Sequence, residues 1–424
     1  MEKKIKSPIL WISTLYFAMG IPYVTINTTS GIMFKNLGIS DSQIAFWTAL
    51  IMLPWTLKPL WSPFLEIYKT RKFFVIITQL ICGILFSVVI FALPLQDFFK
   101  YSIAILGVIA ISGATHDIAA DGVYINSLSG KAQAKFIGWQ GAFYNLAKII
   151  SSGLLVYLAG VLEKSKGVTV AWMIILGFYS IILILLAAYH FFLLPEENQK
   201  TKQSRPFKEI LNELINIILS FFRKKHIVWF VTFIIFYRFA EGFAMKIAPL
   251  FFKAPRSDGG LGLSTSEIGL IYGTYGSAAF IIGSILSGYF ISKRGLRRSL
   301  IWLCCLFNIP FIVYALLAHF QPLDIWLISS AVIFEYFGYG FGFVGLSLYM
   351  MQQIAPGNHS TAHYAFATGV MNLGVMIPGM ISGFLSDWLG YKHFFVWVLI
   401  ATIPAFLVSI FVPFPNNPSG SNKI

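Results

Sequence analysis

Twelve stretches of this sequence stay apolar long enough to cross about 30 Å of hydrocarbon, roughly 17 to 25 residues each. That feature excludes almost every soluble architecture. The stretches are read as 8–35, 42–67, 73–94, 101–127, 136–161, 170–194, 226–252, 266–291, 298–319, 324–353, 361–385 and 394–413. The fold class that follows is an all-α polytopic membrane protein of twelve transmembrane helices. Composition agrees, because 57% of the 424 residues are hydrophobic and only 11% are charged, whereas about 25% are charged in soluble domains.

A net charge of +14 invites a nucleic-acid reading until the placement of the cations is considered. With both termini cytoplasmic, the inner segments hold twenty lysines and arginines, among them Lys69, Arg71, Lys72, Arg223, Lys224, Lys225, Arg294 and Arg298. The outer loops hold seven: Lys35, Lys100, Lys164, Lys166, Lys253, Arg256 and Lys392. Positive charge that gathers on one side sets membrane orientation, so the basic excess is topological and no nucleic-acid partner is expected. The first span is too long for a signal-peptide core and lacks a small-residue cleavage site, so it reads as an anchor. Cys82, Cys304 and Cys305 all fall inside spans and read as small apolar residues rather than disulfide partners.

The longest polar segment divides the spans six and six. The expected organisation is an N-terminal half over 1–195, a basic cytoplasmic linker over 196–225 and a C-terminal half over 226–424. The halves resemble each other. LGISDSQIA at 37–45 aligns with LGLSTSEIG at 261–269 at an offset of 224, and Asn145-Leu146-Ala147 aligns with Asn372-Leu373-Gly374 at 227. In both copies of the first pair a Ser precedes Gln or Glu by three residues, which predicts a capping box opening spans two and eight. A parallel six-plus-six repeat is similar to the major facilitator architecture. The run Gly288 to Arg298, GYFISKRGLRR, resembles the cytoplasmic loop motif of that family, with Ser292 where an acid is usual. A more degenerate copy runs from Ser62 through Glu66 to Lys72.

Inside span four the apolar run is interrupted by GATHDIAADG, Gly113 to Gly122. This stretch resembles the Gln-Asp-Ile-x-x-Asp-Ala/Gly pattern of the AmpG muropeptide permeases and their acetyl-coenzyme A and siderophore transporter relatives, with His116 in place of the Gln. Lys58-Pro59-Leu60-Trp61-Ser62-Pro63 resembles the Lys-x-Leu-Trp-Ser-Pro run of the AmpG group. Some AmpG proteins carry two further C-terminal spans, and this sequence has twelve. The resemblance implies a proton-coupled secondary transporter of the bacterial cytoplasmic membrane. It would import an amphiphilic cell-wall fragment, an anhydro-muropeptide or amino-sugar disaccharide, with siderophore or acetyl-coenzyme A as the alternative cargo. Lipid, protons and the small molecule are then the partners; no cofactor or metal is called for, and the chain is read as a monomer.

Asp117 and Asp121 are four residues apart, so they share one helical face, and each costs several kcal/mol in lipid unless it meets a cavity or a partner. At roughly 1.5 Å per residue, Lys58 and Asp117 both lie about 24 Å in from the same end of their spans. A pair between Lys58 and either aspartate is therefore reasonable, as a gating salt bridge, a proton-coupling site or a substrate contact. Glu335 in span ten joins them as a coupling or gating candidate. Asn27, Gln140, Lys148, Arg238 and Glu241 are the substrate-binding candidates; amides and a cation suit sugars and an acid, and an Arg grips a carboxylate bidentately. Arg238 and Glu241 are three apart and can instead neutralise each other. Lys246 lies at similar depth.

Other patterns are set aside. Gly340 to Gly345 spells GxGxxG, but inside an apolar helix with no preceding strand it reads as close packing. His359 and His363 have helical metal-ligand spacing but no third ligand. A protease dyad needs carboxylates converging from different helices, and Asp117 and Asp121 share one, so an enzyme is not expected. The two-half repeat argues against a channel or scaffold.

Overall fold

The computed structural model describes residues 7–61, 65, 69–128, 130–195, 207–356 and 360–415, and the regular structure among them is helical. Ser62, Pro63 and His359, along with 196–206 of the expected linker, lie outside the described residues. Ten helical segments are long and apolar enough to cross a bilayer: Pro8–Asn36, Arg71–Ala92, Phe98–Tyr124, Trp139–Lys166, Val168–Leu193, Ile227–Lys253, Thr265–Ile291, Leu296–Phe320, Ile325–Ile354 and Ala362–Phe411. The last is two spans, because its course breaks at Gly390, where φ is 70°.

The second expected span completes the twelve and is broken into Asp41–Leu50, Leu53–Leu57 and a 3₁₀ turn, Lys58–Leu60. Pro54 and Pro59 stand in the opening turns of the last two pieces. Proline can start a helical turn but cannot donate an N–H into one.

The repeat is visible in the backbone. Gly38 (φ 84°) and Gly262 (φ 64°) follow spans one and seven, and Gly167 (φ 80°) and Gly390 (φ 70°) follow spans five and eleven. Glycine enters this left-handed region without steric cost, so the same turn recurs at equivalent places. The capping prediction divides, however. Ser264 forms the full capping box with Glu267, whereas Ser40 makes no cap bond and its hydroxyl lies 3.2 Å from that of Ser42. Gln43 is exposed, and the turn is held instead by Asp41, which pairs with Lys35 at 2.5 Å.

The helices gather in two compact units: Met1–Ser204 with Pro249–Pro255 and Gly262–Ser277, and Arg205–Ala248 with Arg256–Leu261 and Ala278–Ile424. In the second unit, aromatic side chains of spans seven, nine and ten, including Phe233, Tyr237, Phe307 and Tyr349, form the core. Gly340, Gly342 and Gly345 pack there as expected, because a Cβ on each would strike Phe280, Phe307 or Leu303. His363 meets the Ser220 hydroxyl at 2.8 Å, and no group of metal-binding side chains occurs among the described residues.

Two polar assemblies hold the first unit. One ties four spans through three buried side chains and the half-buried Thr14: Thr14 Oγ1 to His190 Nε2 (2.9 Å), His190 Nδ1 to Gln79 Oε1 (3.0 Å), and Gln79 Nε2 to His116 Nε2 (2.9 Å). The Gln79 amide serves one ring through its carbonyl and the other through its N–H, which fixes His116 as acceptor at Nε2 and His190 as donor at Nδ1. The other assembly lies at the loop end of the helices. There the Glu163 carboxylate accepts from Asn36 Nδ2 (2.5 Å), Trp172 Nε1 (3.0 Å) and Thr265 Oγ1 (2.7 Å). The Thr265 hydroxyl also accepts from Asn36 (2.8 Å) and Lys253 (3.1 Å). One donor and two acceptor sites are all a hydroxyl has, so this centre is saturated.

Glu163→Ala strands three donors at once and should lower stability by about 2 kcal/mol or more. Thermal unfolding in detergent checks this; Lys164→Ala, at an exposed neighbour, should leave the midpoint unchanged.

Candidate functional site

The interruption of span four folds into a site in the first unit. Helix Phe98–Ser127 turns His116 toward the buried tie described above and Asp117 toward span two. Asp117 is 7% exposed, and its Oδ2 lies 3.6 Å from Lys58 Nζ. At that distance the two form an ion pair without a hydrogen bond. The 3₁₀ turn at Lys58–Leu60 places this lysine. Trp55, three residues earlier, lies against Gly113, where a Cβ would sit 2.7 Å from the indole. Its Nε1 is beside the Asp117 carboxylate but makes no hydrogen bond there, and Asp117 Oδ1 is likewise without one. The indole and the ammonium thus flank a carboxylate that neither saturates.

Asp121, one turn further along, is half-buried. It accepts a 2.8 Å hydrogen bond from the Tyr16 hydroxyl of span one and feels Lys58 as its principal charged neighbour. One ammonium therefore faces two carboxylates, and the group is one positive charge short of neutrality. The structure brings together Lys58, Asp117 and Asp121, as the sequence suggested.

Asn27 and Lys148 lie where two widened turns meet, Thr25–Thr29 in span one and Ile149–Leu154 just after Lys148 in span five. Such π-turns are frequent at functional sites, and these two touch through Thr29 Oγ1 and the Ser151 carbonyl at 3.3 Å. Both Asn27 and Lys148 are half-buried, as is Gln140 two turns before Lys148. Tyr23, one turn before Asn27, has its ring centre 5.3 Å from that of Trp55 and 6.3 Å from that of Tyr144, which lies one turn from both Gln140 and Lys148.

In the second unit span seven breaks at Arg238, between Ile227–Tyr237 and Phe239–Lys253. Close approach of Gly242 to Val375 and Pro378 accompanies the break. Arg238 grips Glu241 with both arms, Nε to Oε2 at 2.6 Å and Nη2 to Oε1 at 2.5 Å, and its guanidinium lies 5.2 Å from the Phe343 ring centre. Glu335 is fully buried and accepts from the Tyr314 hydroxyl at 2.8 Å.

Tyr16, Trp55, Tyr314 and Glu163 were not singled out by the sequence. A phenol or indole in an apolar span needs a polar partner; applied to span one, that rule points at Tyr16. Glu163 carries no local signal, because its partners come from positions 36, 172 and 265.

The model of the Major Facilitator Superfamily matches residues 10–377. Among curated proteins, the chain is 22% identical to "Putative transporter AmpG 4" of Rickettsia conorii over 95% of each chain. It is 23% identical to the "Anhydromuropeptide permease" of Escherichia coli K12, covering 95% of this chain and 79% of that one. Among solved structures, a D-xylose-proton symporter superimposes with a TM-score of 0.75 at 15% identity, covering 96% of this chain and 97% of that chain.

The Arg238–Glu241 pair makes its own prediction. Arg238→Ala leaves a buried carboxylate uncompensated and should cost about 3–5 kcal/mol, whereas Arg238→Leu with Glu241→Leu should restore most of the loss. Unfolding of the purified variants distinguishes the two outcomes.

Proposed function

The chain belongs to the Major Facilitator Superfamily, a family of transporters rather than enzymes, and on that premise we propose that it imports an anhydro-muropeptide or related amino-sugar fragment with protons. It would do so by alternating access across the bacterial cytoplasmic membrane, with both termini on the cytoplasmic side, as the placement of its cations suggests. The cell-wall cargo is supported by the distant full-length similarity to the anhydromuropeptide permease and the AmpG proteins. The observation that carries the proton reading is the group Lys58, Asp117 and Asp121. Two carboxylates share one ammonium, with 3.6 Å between Lys58 and Asp117, so a single proton makes the group neutral.

A neutral group crosses a low-dielectric environment more cheaply than a charged one. Proton uptake therefore frees the first unit to change its surroundings, and release restores the ion pair that holds the empty carrier. Either carboxylate can take that proton: Asp117 has an oxygen without a hydrogen bond, and Asp121 stands one turn away on the same helix. For the cargo, Asn27 and Gln140 offer amides, Tyr23, Trp55 and Tyr144 offer ring faces suited to sugars, and Lys148 offers a cation for the lactyl or peptide carboxylate. Arg238 and Glu241 already satisfy each other in a bidentate pair within the second unit, so they enter the proposal as an internally neutralised pair.

The test is uptake of labelled anhydro-muropeptide into proteoliposomes, with a ferric siderophore and acetyl-coenzyme A run in parallel. Muropeptide should accumulate under an inward proton gradient, and Asp117→Asn should abolish accumulation. Lys148→Ala should weaken binding of the acidic muropeptide about tenfold more than binding of a neutral disaccharide, the loss of one charge-assisted hydrogen bond. Uptake of either alternative ligand in place of the muropeptide would overturn the cargo.

A further inference from the structure

Tyr16 is buried in the first unit, 2% exposed, with its ring edge-on to Tyr124 at 5.9 Å. A hydroxyl at that depth needs a reason. On one side it donates to Asp121 Oδ1 at 2.8 Å; on the other, the Gln140 side chain of span five is its neighbour. The register of the two spans produces this meeting. Spans one and five approach so closely that a Cβ on Gly20 would lie 2.7 Å from Ala147 Cβ and 3.1 Å from the Tyr144 carbonyl. One helical turn earlier in each of these parallel helices, from Gly20 to Tyr16 and from Tyr144 to Gln140, the phenol comes opposite the amide.

We infer that Tyr16 is a positioning residue that links the protonation of Asp121 to the face Gln140 presents to the substrate; this rests on the proton-coupled reading above. A phenol has one proton to donate, and an amide has a donor end and an acceptor end. While Asp121 is ionised it accepts from Tyr16, whose oxygen is then open to the Gln140 N–H, and the Gln140 carbonyl is left for the cargo. When a proton arrives on the Asp121 oxygen facing Tyr16, that oxygen becomes a donor. Tyr16 must then accept from it and turn its own proton to Gln140, whose amide turns over to accept through its carbonyl and leaves its N–H for the cargo. No proton leaves Tyr16; the direction of a three-member chain reverses. The charged and titratable groups around Asp121 among the described residues include Lys58, Asp117 and Tyr16, with Tyr124 beyond them and the Arg71 side chain packed against the neighbouring Gly122.

Tyr16→Phe removes one oxygen and keeps the ring. In proteoliposomes of the full chain with labelled anhydro-muropeptide, it should reduce accumulation under a proton gradient at least about tenfold, the scale of one hydrogen bond to a charged group. Exchange at equal pH should fall by no more than about threefold, a loss below 1 kcal/mol. Accumulation equal to the parent's, alongside its loss in Asp121→Asn, would overturn the role of Tyr16 alone. Accumulation that persists in Asp121→Asn would overturn the coupled reading and this inference together. A readout without substrate is the infrared carbonyl band of protonated Asp121, identified by its disappearance in Asp121→Asn. It should move in Tyr16→Phe, and an unmoved band would overturn the inference.

Discussion

A charge inside a membrane helix must be answered by another side chain, because there is no water to answer it. The described structure follows that constraint closely. Arg238 closes on Glu241, Glu335 takes the Tyr314 hydroxyl, Asp121 takes the Tyr16 hydroxyl, and Glu163 gathers three donors. The Lys58–Asp117 contact is looser than the Arg238–Glu241 pair. It is an ion pair held at 3.6 Å, with one carboxylate oxygen and the neighbouring indole N–H unsatisfied. A transporter needs such a place: a fully bonded pair resists change, whereas an incompletely bonded one can exchange a lysine for a proton at modest cost.

The remainder of the first unit is built to keep that place still. The Thr14–His190–Gln79–His116 chain ties spans one, six, three and four immediately beside Asp117, and buried apolar side chains of the same unit, including Trp11, Leu15, Val75 and Val123, pack into one cluster. The helices lose their regular ladder in a few places: the proline-broken span two that carries Lys58, the widened turns of spans one and five, and the interruption of span seven at Arg238. Candidate residues Lys58, Asn27, Lys148 and Arg238 all sit at or beside these irregularities. That association has a physical basis, since an irregular turn frees backbone and side chain from the i to i+4 pattern.

Most of the spans were legible because apolar length is a local property, and span two was less so because its prolines divide a window that still reads as apolar. The Lys58–Asp117 pair was legible because equal depth in adjoining helices can be counted along the chain. So was Arg238–Glu241, which lies within one turn. Tyr16–Asp121, the Glu163 cluster and the His116 tie were not, because each depends on which helix faces which and at what rotation. Local chemistry alone also misplaced the cap at Ser40: the Ser-x-x-Gln spelling was present, but the Lys35–Asp41 pair holds that turn instead.

The central claim is that the group of two carboxylates and one ammonium is one proton short of neutrality and carries that proton with its cargo. The most direct measurement is the balance point of transport in proteoliposomes, where a fixed substrate gradient is opposed by a variable pH gradient at zero membrane potential until net flux stops. One proton per substrate requires that a tenfold substrate gradient be balanced by about one pH unit. A balance point that does not move with the pH gradient would contradict the account.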